Sequence, residues 1–513
     1  MDYIKSTNRN QIEISSLDDL IETDNAVRFV DAFVDKLDLT QLSFVVNDIK
    51  SEGRPAFNPK VFLKIYLYGY LNGLRSSRKL EKECKRNIEL QWLTGKLTPN
   101  YHSIADFRKV NSLALRNTFK LFVLFLKDAD LITGKIIAVD GTKVRAHNSK
   151  KNNYNPKKIE RHLQYIEEKT NEYLKQLDGN DSNDDLMKVN QVQEKLNRLN
   201  ENKIKYEVLS EKLEKSGEPQ VSTTDEDARA LLVHGQVVEV SYNTQAAVDE
   251  KHKLVVATHT LNRNDRNALS RISIEAKENI GSENITVLSD KGYHNGREIQ
   301  TCKDNNIDTI CAQQVIINSN EKGTTPEYLV THFIYNKEAD TYTCPQGETL
   351  NTTGTWHKKT RERDSHQFKK YRTPACKTCA VRNLCTARAD GGREIDRSEF
   401  ADAVYENTQR YNTNKDLYRK RQEINEHIFG TIKRQWGYNH TNLKGLEKVN
   451  GEMALIMTVY NIKRTINIMG IENLLEKIKN WKPNYKGNTR LFSKQVYFNA
   501  ICTHQIFEIK MAA

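Results

Sequence analysis

Three carboxylates stand in settings that could do chemistry together: Asp140 in IIAVDGTKVRAHN, Asp290 in ITVLSDKGYHNG, and Glu426 in YRKRQEINEHIFGTIKRQWG. The first two close β-rich runs, and the third lies in a long basic stretch of helical character. A fold that brought them together could hold magnesium or manganese, hard cations that take oxygen ligands and keep several waters. Two such ions about 3.5–4 Å apart activate a nucleophile and steady the leaving oxygen when a phosphodiester is cut or rejoined. Singly, Asp140 before Gly141 and Asp290 near Gly292 read equally well as turn residues. Their joint placement at strand ends favours the chemistry.

The third carboxylate must arrive on a helix. Projected at about 100° per residue, Ile424, Ile428, Ile432 and Trp436 form one apolar stripe with Phe429 beside it. Glu426 falls on the opposite side, aligned with Arg419 and Lys433 at seven-residue intervals. Such a face would carry a carboxylate flanked by two cations suited to phosphate oxygens. Glu423, about 60° away on the same projection, is the rival ligand. An ordinary surface helix with a solvated charged face would show the same pattern.

Stepping outward, the elements that must position these residues have a readable order. GKIIAVD reads as a strand, VHGQVVEVSYNTQAAVD and HKLVVATHT as two neighbouring antiparallel strands, and DRNALSRISIEAKENIG as a helix. ENITVLSD reads as a buried strand, NGREIQTCKDNN as a helix and IDTICA as a further short strand. Between Lys150 and Gln220, Ile159, Leu163, Ile166, Tyr173 and Leu177 recur at spacings near three and four, as do Val189, Val192, Leu196, Leu199, Tyr206 and Leu213. DGNDSNDD separates the two runs, so this segment reads as an inserted helical hairpin, a packing or dimerisation arm. The order matches an α/β core of the ribonuclease-H type, in which two strands each deliver an aspartate to one sheet edge.

Residues 1–130 read as an all-α domain. Gly73 with Ser76 and Ser77 marks a break and a new cap, and Ser103 precedes another start. The short helices carry Arg75, Arg78, Lys79, Lys82, Lys85, Arg86, Arg108 and Lys109, which suits a helix-turn-helix DNA reader or a bundle with a solvated basic face. Arg75, Arg78 and Arg108 are the candidate phosphate contacts there. With 79 Lys+Arg against 67 Asp+Glu and a net charge of +12 over 513 residues, the chain attracts polyanions, duplex DNA first among them. MDYIKSTNRNQIEISS lacks the apolar core of a signal peptide, and FKLFVLFLKDADL is too short for a bilayer span. A cytoplasmic protein without membrane contact is expected.

The eight cysteines suggest thiols or metal ligation rather than a disulfide framework. Cys344 in YTCPQG and Cys376, Cys379 and Cys385 in CKTCAVRNLC lie in a loop-rich basic segment, and four thiolates satisfy tetrahedral structural zinc. Cys84, Cys302, Cys311 and Cys502 are isolated. His147, His294 and His427 lie near the acidic residues and read as packing or hydrogen-bonding groups.

Several blocks in order resemble the DDE transposases of bacterial insertion sequences. LYGYLNGLRSSRKLE and SIADFRKVN resemble the group's N-terminal DNA-binding domain, VDGTKV its first catalytic block and VSYNTQAAVD its following strands. SDKGYHNG resembles its second block, and HIFGTIKRQWG with GLEKVNGEMALIMTVYNIKR its terminal block. The resemblance implies a ribonuclease-H-like catalytic domain over 131–470, with insertions at 150–220 and 315–410, and a C-terminal tail at 471–513. It implies that Asp140, Asp290 and Glu426 form the metal-binding triad and that Lys433 is the basic residue seven positions beyond the glutamate. One departure stands out. The group's terminal block shows Tyr, two residues, Arg, three residues, then Glu, whereas Tyr418 and Arg421 are followed by four residues before Glu426. Arg421 is therefore a poor equivalent, Arg419 the favoured cation, and Tyr418 a phosphate or DNA contact. The implied activity is binding of insertion-sequence ends, metal-dependent cleavage and strand transfer into target DNA by a homodimer on DNA. A related nuclease without strand transfer and a catalytically silent zinc-containing DNA-binding regulator are the alternatives.

Overall fold

The computed structural model describes residues 10–12, 14–46, 55–180, 186–233, 237–313, 324–361, 364–388 and 391–485. Parts of the opening segment and of the DGNDSNDD turn, and FNAICTHQIFEIKMAA with Cys502, lie outside the described residues.

The N-terminal region is helical: α1 (Ala26–Asp35), α2 (Pro59–Leu71), α3 (Ser77–Arg86), α4 (Ile88–Thr94), α5 (Tyr101–Val110) and α6 (Ser112–Asp128). Four of these helices begin at asparagines, Asn25, Asn58, Asn87 and Asn100, whose side chains accept from the amides of Val27, Lys60, Leu90 and Ser103. Each cap satisfies a donor that the first turn leaves unpaired. Phe29, Phe33, Phe122 and Phe125 then stack between α1 and α6.

β1 (Ile136–Arg145) opens the α/β region. β2 (Asn153–Tyr154) leads into α7 (Pro156–Asn180) and α8 (Leu186–Ser216), and β3 (Val221–Ser222) pairs antiparallel with β2. Tyr154, Ile159, Leu209, Leu213 and Val221 make a small separate core at the base of that helical pair. The main sheet continues with β4 (Arg229–Val233), β5 (Val237–Asp249) and β6 (Val255–Leu261). After α9 (Leu269–Ile280) come β7 (Ile285–Ser289), α10 (Gly296–Asp304) and β8 (Ile307–Cys311). Its order is β4-β5-β1-β7-β8, with β6 also pairing β5. β1 meets β5 antiparallel and β7 parallel, and β7 meets β8 parallel.

The Cys-bearing segment, expected to be loop-rich, is a second antiparallel sheet. Its strands are β9 (Ile334–Asn336), β10 (Thr341–Thr343), β11 (Thr349–Arg361), β12 (Asp364–Arg372) and, after the short α11 (Arg382–Cys385), β13 (Ile395–Ser398). They run in the order β13-β12-β11-β10-β9 around Phe333, Tyr342, Leu350, Tyr371 and Ile395.

α12 (Ala401–Thr413) and α13 (Lys415–Phe429) follow, and α13 runs into a π-helical turn, Gly430–Gln435. α14 (Leu446–Met469) is buried along most of its length and packs on both α6 and β6. A Cβ on Gly451 would meet the Ser112 backbone at 2.6 Å, so only glycine lets α14 approach α6 this closely. Burying Met453, Leu455, Ile456, Met457, Val459 and Ile462 contributes roughly 1.5–3 kcal/mol per side chain. One continuous apolar core thereby joins the N-terminal helices to the main sheet. The segment expected to start a tail instead forms α15 (Ile471–Asn480), which buries Ile471, Leu474 and Ile478 and packs on α1.

Candidate active site

The parallel register pairs Ile136 with Thr286, Ile137 with Val287 and Ala138 with Leu288. Two residues beyond the last of these pairs come Asp140 and Asp290, where the β1–β7 pairing ends. Asp290 lies just past β7, but Asp140, expected at a strand end, sits inside β1, which runs on to Arg145 against β5. Each carboxylate accepts a local amide: Gly141 N at 2.8 Å for Asp140 Oδ1 and Gly292 N at 2.8 Å for Asp290 Oδ1. Burial pushes the Asp140 carboxyl up to about 6. The Gly141 amide and Arg421 pull against that shift, and the charges of Asp290 and Asp265 add to it. A partly buried acid beside like charges is an arrangement that a dication relieves, so the two oxygen donors fit a hard divalent metal.

α13 crosses this edge of the sheet, but not with the face that the sequence projection favours. Arg421 is the cation at the site, with Nη1 3.9 Å from Asp140 Oδ2 and its guanidinium 5.6 Å from the Tyr418 ring. Arg419 points away, 79% exposed and paired with Asp416 at 3.2 Å. Ile424, Ile428 and Ile432 are buried, as the stripe requires. Glu426 lies exposed on the other side and accepts from Gln422 Nε2 at 2.6 Å. Glu423 is drawn to Lys253 at 3.2 Å. Lys433 reaches β1, donating to Thr142 Oγ1 at 3.1 Å and to the Lys143 carbonyl at 3.0 Å. The projected stripe itself holds through Lys415–Phe429. What differs is that the edge of the buried stripe, where Arg421 lies, meets the aspartates, while the opposite face with Glu426 is exposed, and the π turn that follows carries Lys433 back onto β1. One turn beyond Arg421, Asn425 is 1% exposed with neither amide atom hydrogen-bonded among the described residues.

The sequence reading missed a polar network beside Asp140. Asp265 takes Asn243 Nδ2 at 2.7 Å, Gln245 Nε2 at 2.8 Å and Lys143 Nζ at 3.0 Å, and Gln245 accepts from the Tyr293 hydroxyl. A Cβ on Gly141 would lie 2.3 Å from Gln245 Nε2 and 2.6 Å from Asp265 Oδ1, so the glycine after Asp140 makes room for this network. Burial, with the charges of Asp265, Asp140 and Asp290, holds the Tyr293 phenol well above its ordinary value. Asp265, rather than Glu426, is thus the carboxylate whose charge acts on Asp140 besides that of Asp290. Its sequence signal was slight: an Asn-Asp step just after a strand.

Two of the N-terminal candidates are interior residues. Arg75 donates to Glu452 Oε1 at 2.7 Å and to the His440 carbonyl at 2.7 Å, and Arg108 donates to the Tyr70 hydroxyl at 2.5 Å. Both are buried and so cannot reach phosphates, whereas Arg78 stays exposed, 5.0 Å over the Tyr101 ring. His427 Nδ1 lies 2.8 Å from the Tyr460 hydroxyl, a packing contact. Cys344, Cys376, Cys379 and Cys385 line one cavity of about 30 Å³ beside Phe333 and Leu350. Burial, and then the neighbouring thiols, push the Cys385 thiol up against the pull of Arg393. Among the described residues no three His, Cys, Asp or Glu side chains already stand as a metal-holding group.

Residues 15–110 match a Transposase domain (DUF772), and residues 343–466 match a Transposase DDE domain. Both matched families are transposase domains, consistent with a DDE-type transposase of an insertion sequence. No curated protein and no solved structure matches it. The C-terminal match covers β11, β12 and β13 of the second sheet, α12, α13 and most of α14, while Asp140 and Asp290 fall between the two matched segments. No helix among the described residues is long and apolar enough to cross a membrane.

Proposed function

We propose that this transposase binds the ends of its own element as a homodimer on DNA, cuts them with a ribonuclease-H-like DDE core, and joins the freed 3′ ends to target DNA. The observation that carries the proposal is that Asp140 and Asp290 each stand two residues beyond the last pair of the parallel β1–β7 register, in a chain with transposase matches on either side of them. Asp140 and Asp290 would hold magnesium or manganese, with Glu426 as the third ligand. That last assignment rests on the place of Glu426 in the matched helix, since its side chain hydrogen-bonds to Gln422 and not to the aspartates' neighbours among the described residues. The bound metal supplies Lewis acidity that activates water or a 3′-hydroxyl and steadies the leaving oxygen. Arg421 and Lys433 place positive charge along the same edge, where phosphate oxygens would lie. The Asp265 network keeps Gln245 and Tyr293 fixed behind Asp140.

Asp140→Asn and Glu426→Gln should each lower magnesium-dependent cleavage of end DNA by at least about a thousandfold, with binding retained. Wild-type cleavage by Asp140→Asn would refute the core assignment, and wild-type cleavage by Glu426→Gln alone would remove only the third ligand. Transfer of pre-cleaved ends to target separates the transposase from a nuclease with the same acids.

Cys344, Cys376, Cys379 and Cys385 would hold a structural zinc ion. Support comes from four thiols on one small cavity in a sheet with a small apolar core. Purified protein should carry about one zinc per chain by elemental mass spectrometry; zinc-free protein with an unchanged melting temperature would refute this.

A further inference from the structure

The β11–β12 ribbon is used by nothing described so far. Beyond the irregularity at Thr352 and Trp356 it pairs Trp356 with Lys369, Lys358 with Gln367, Lys359 with His366 and Arg361 with Asp364. Its base is electrically settled. Lys369 is held by Asp340 at 2.7 Å, Lys370 by Glu394 at 2.6 Å, and Arg372 by the same Glu394. The distal half differs, because Lys358 and Lys359 are exposed and neither has an ion-pair partner among the described residues. Trp356 is 48% exposed on the face that carries Lys358. Successive strand residues point to opposite faces, so Lys358 and Lys359 present one cation on each side of the ribbon.

The ribbon is also tied to the catalytic edge. Arg297, on the helix that follows Asp290, donates to the Ser365 carbonyl and lies 5.7 Å over the Phe400 ring. Gln367 exchanges two hydrogen bonds with Glu399, each 2.9 Å long. The distal paired segment is about 20 Å long, and a two-stranded ribbon of that kind enters a DNA major groove, whose two walls are phosphate backbones.

We propose that the distal β11–β12 ribbon lies in the major groove of duplex DNA alongside the Asp140–Asp290 edge, with Lys358 and Lys359 neutralising phosphates on opposite walls. The inference rests on the transposase reading and adds a second DNA contact, remote in sequence from the N-terminal helices. The test is the salt dependence of binding to a duplex of arbitrary sequence, about 30 base pairs long, measured by fluorescence anisotropy with the full chain. Each phosphate contact contributes about 0.9 to the slope of log affinity against log salt. The double variant Lys358→Gln/Lys359→Gln should therefore lose nearly two from that slope between about 50 and 200 mM salt, with an unchanged melting temperature. Lys358→Arg/Lys359→Arg should keep it. An unchanged slope and affinity in the Gln variant, with wild-type binding intact, would overturn the ribbon contact and leave the transposase reading standing. Absence of duplex binding by the wild-type chain would overturn both.

Discussion

Two arginine–carboxylate encounters in this chain look alike in outline and differ in every physical respect. Arg75 and Glu452 sit 2.7 Å apart, with the glutamate fully buried and further bonded by the Asn442 and Leu443 amides. Arg421 and Asp140 stand 3.9 Å apart, with the aspartate side chain 33% exposed and Arg421 Nε unpaired. The first pair holds helices together, with Glu452 taken up by Arg75 and two amides although Arg75 Nε and Nη1 are buried without a hydrogen-bond partner among the described residues. The second is left loose at an open edge, where charge is available to something else. A buried ion pair broken on one side leaves an uncompensated charge, whereas a loose pair at a cleft can lose a member without unfolding the protein.

The comparison breaks first at Glu452. Glu452→Gln should cost about 3–5 kcal/mol, read by denaturant unfolding, because Arg75 and Arg108 lose their shared anion. Burial alone would push the Glu452 carboxyl up, but Arg108 and Arg75 hold it below its ordinary value of 4.5. Its stabilisation is thus present above that value and lost as pH falls through the lower folded one. The gap between wild type and variant should narrow on acidification, and a gap independent of pH would contradict the ionised pair. A smaller effect is expected at Arg421. Arg421→Ala should slow cleavage roughly ten- to a hundredfold, the worth of one charge-assisted contact, while shifting stability by less than about 1 kcal/mol. A large drop in melting temperature with unaltered cleavage would place Arg421 with the structural pair instead.

The difference between these regions also governs what could be read from one dimension. The strands that carry Asp140 and precede Asp290 were legible from their β-branched runs, although β1 runs on past Asp140 to Arg145 instead of ending there. Arg75 and Arg108 were misread because the residue that captures them, Glu452, is more than 300 positions away on α14. The stripe of α13 was read correctly, but a projection alone does not say which flank of a buried stripe meets the sheet edge, and it is the flank with Arg421 rather than the face with Glu426. The second sheet escaped notice because its long strands, β11 and β12, are polar and basic with no apolar alternation, and β9 and β10 are only three residues each.

The seam between α6 and α14 has a mechanical consequence. With Gly451 seated on Ser112 and a shared core running from Phe29 to Val287, the N-terminal helices cannot swing independently of the sheet. A duplex gripped by those helices would be presented to the acidic edge at a fixed offset, like stock against the fence of a saw. The distance from the gripped site to the broken bond would then be a property of this packing rather than of any linker.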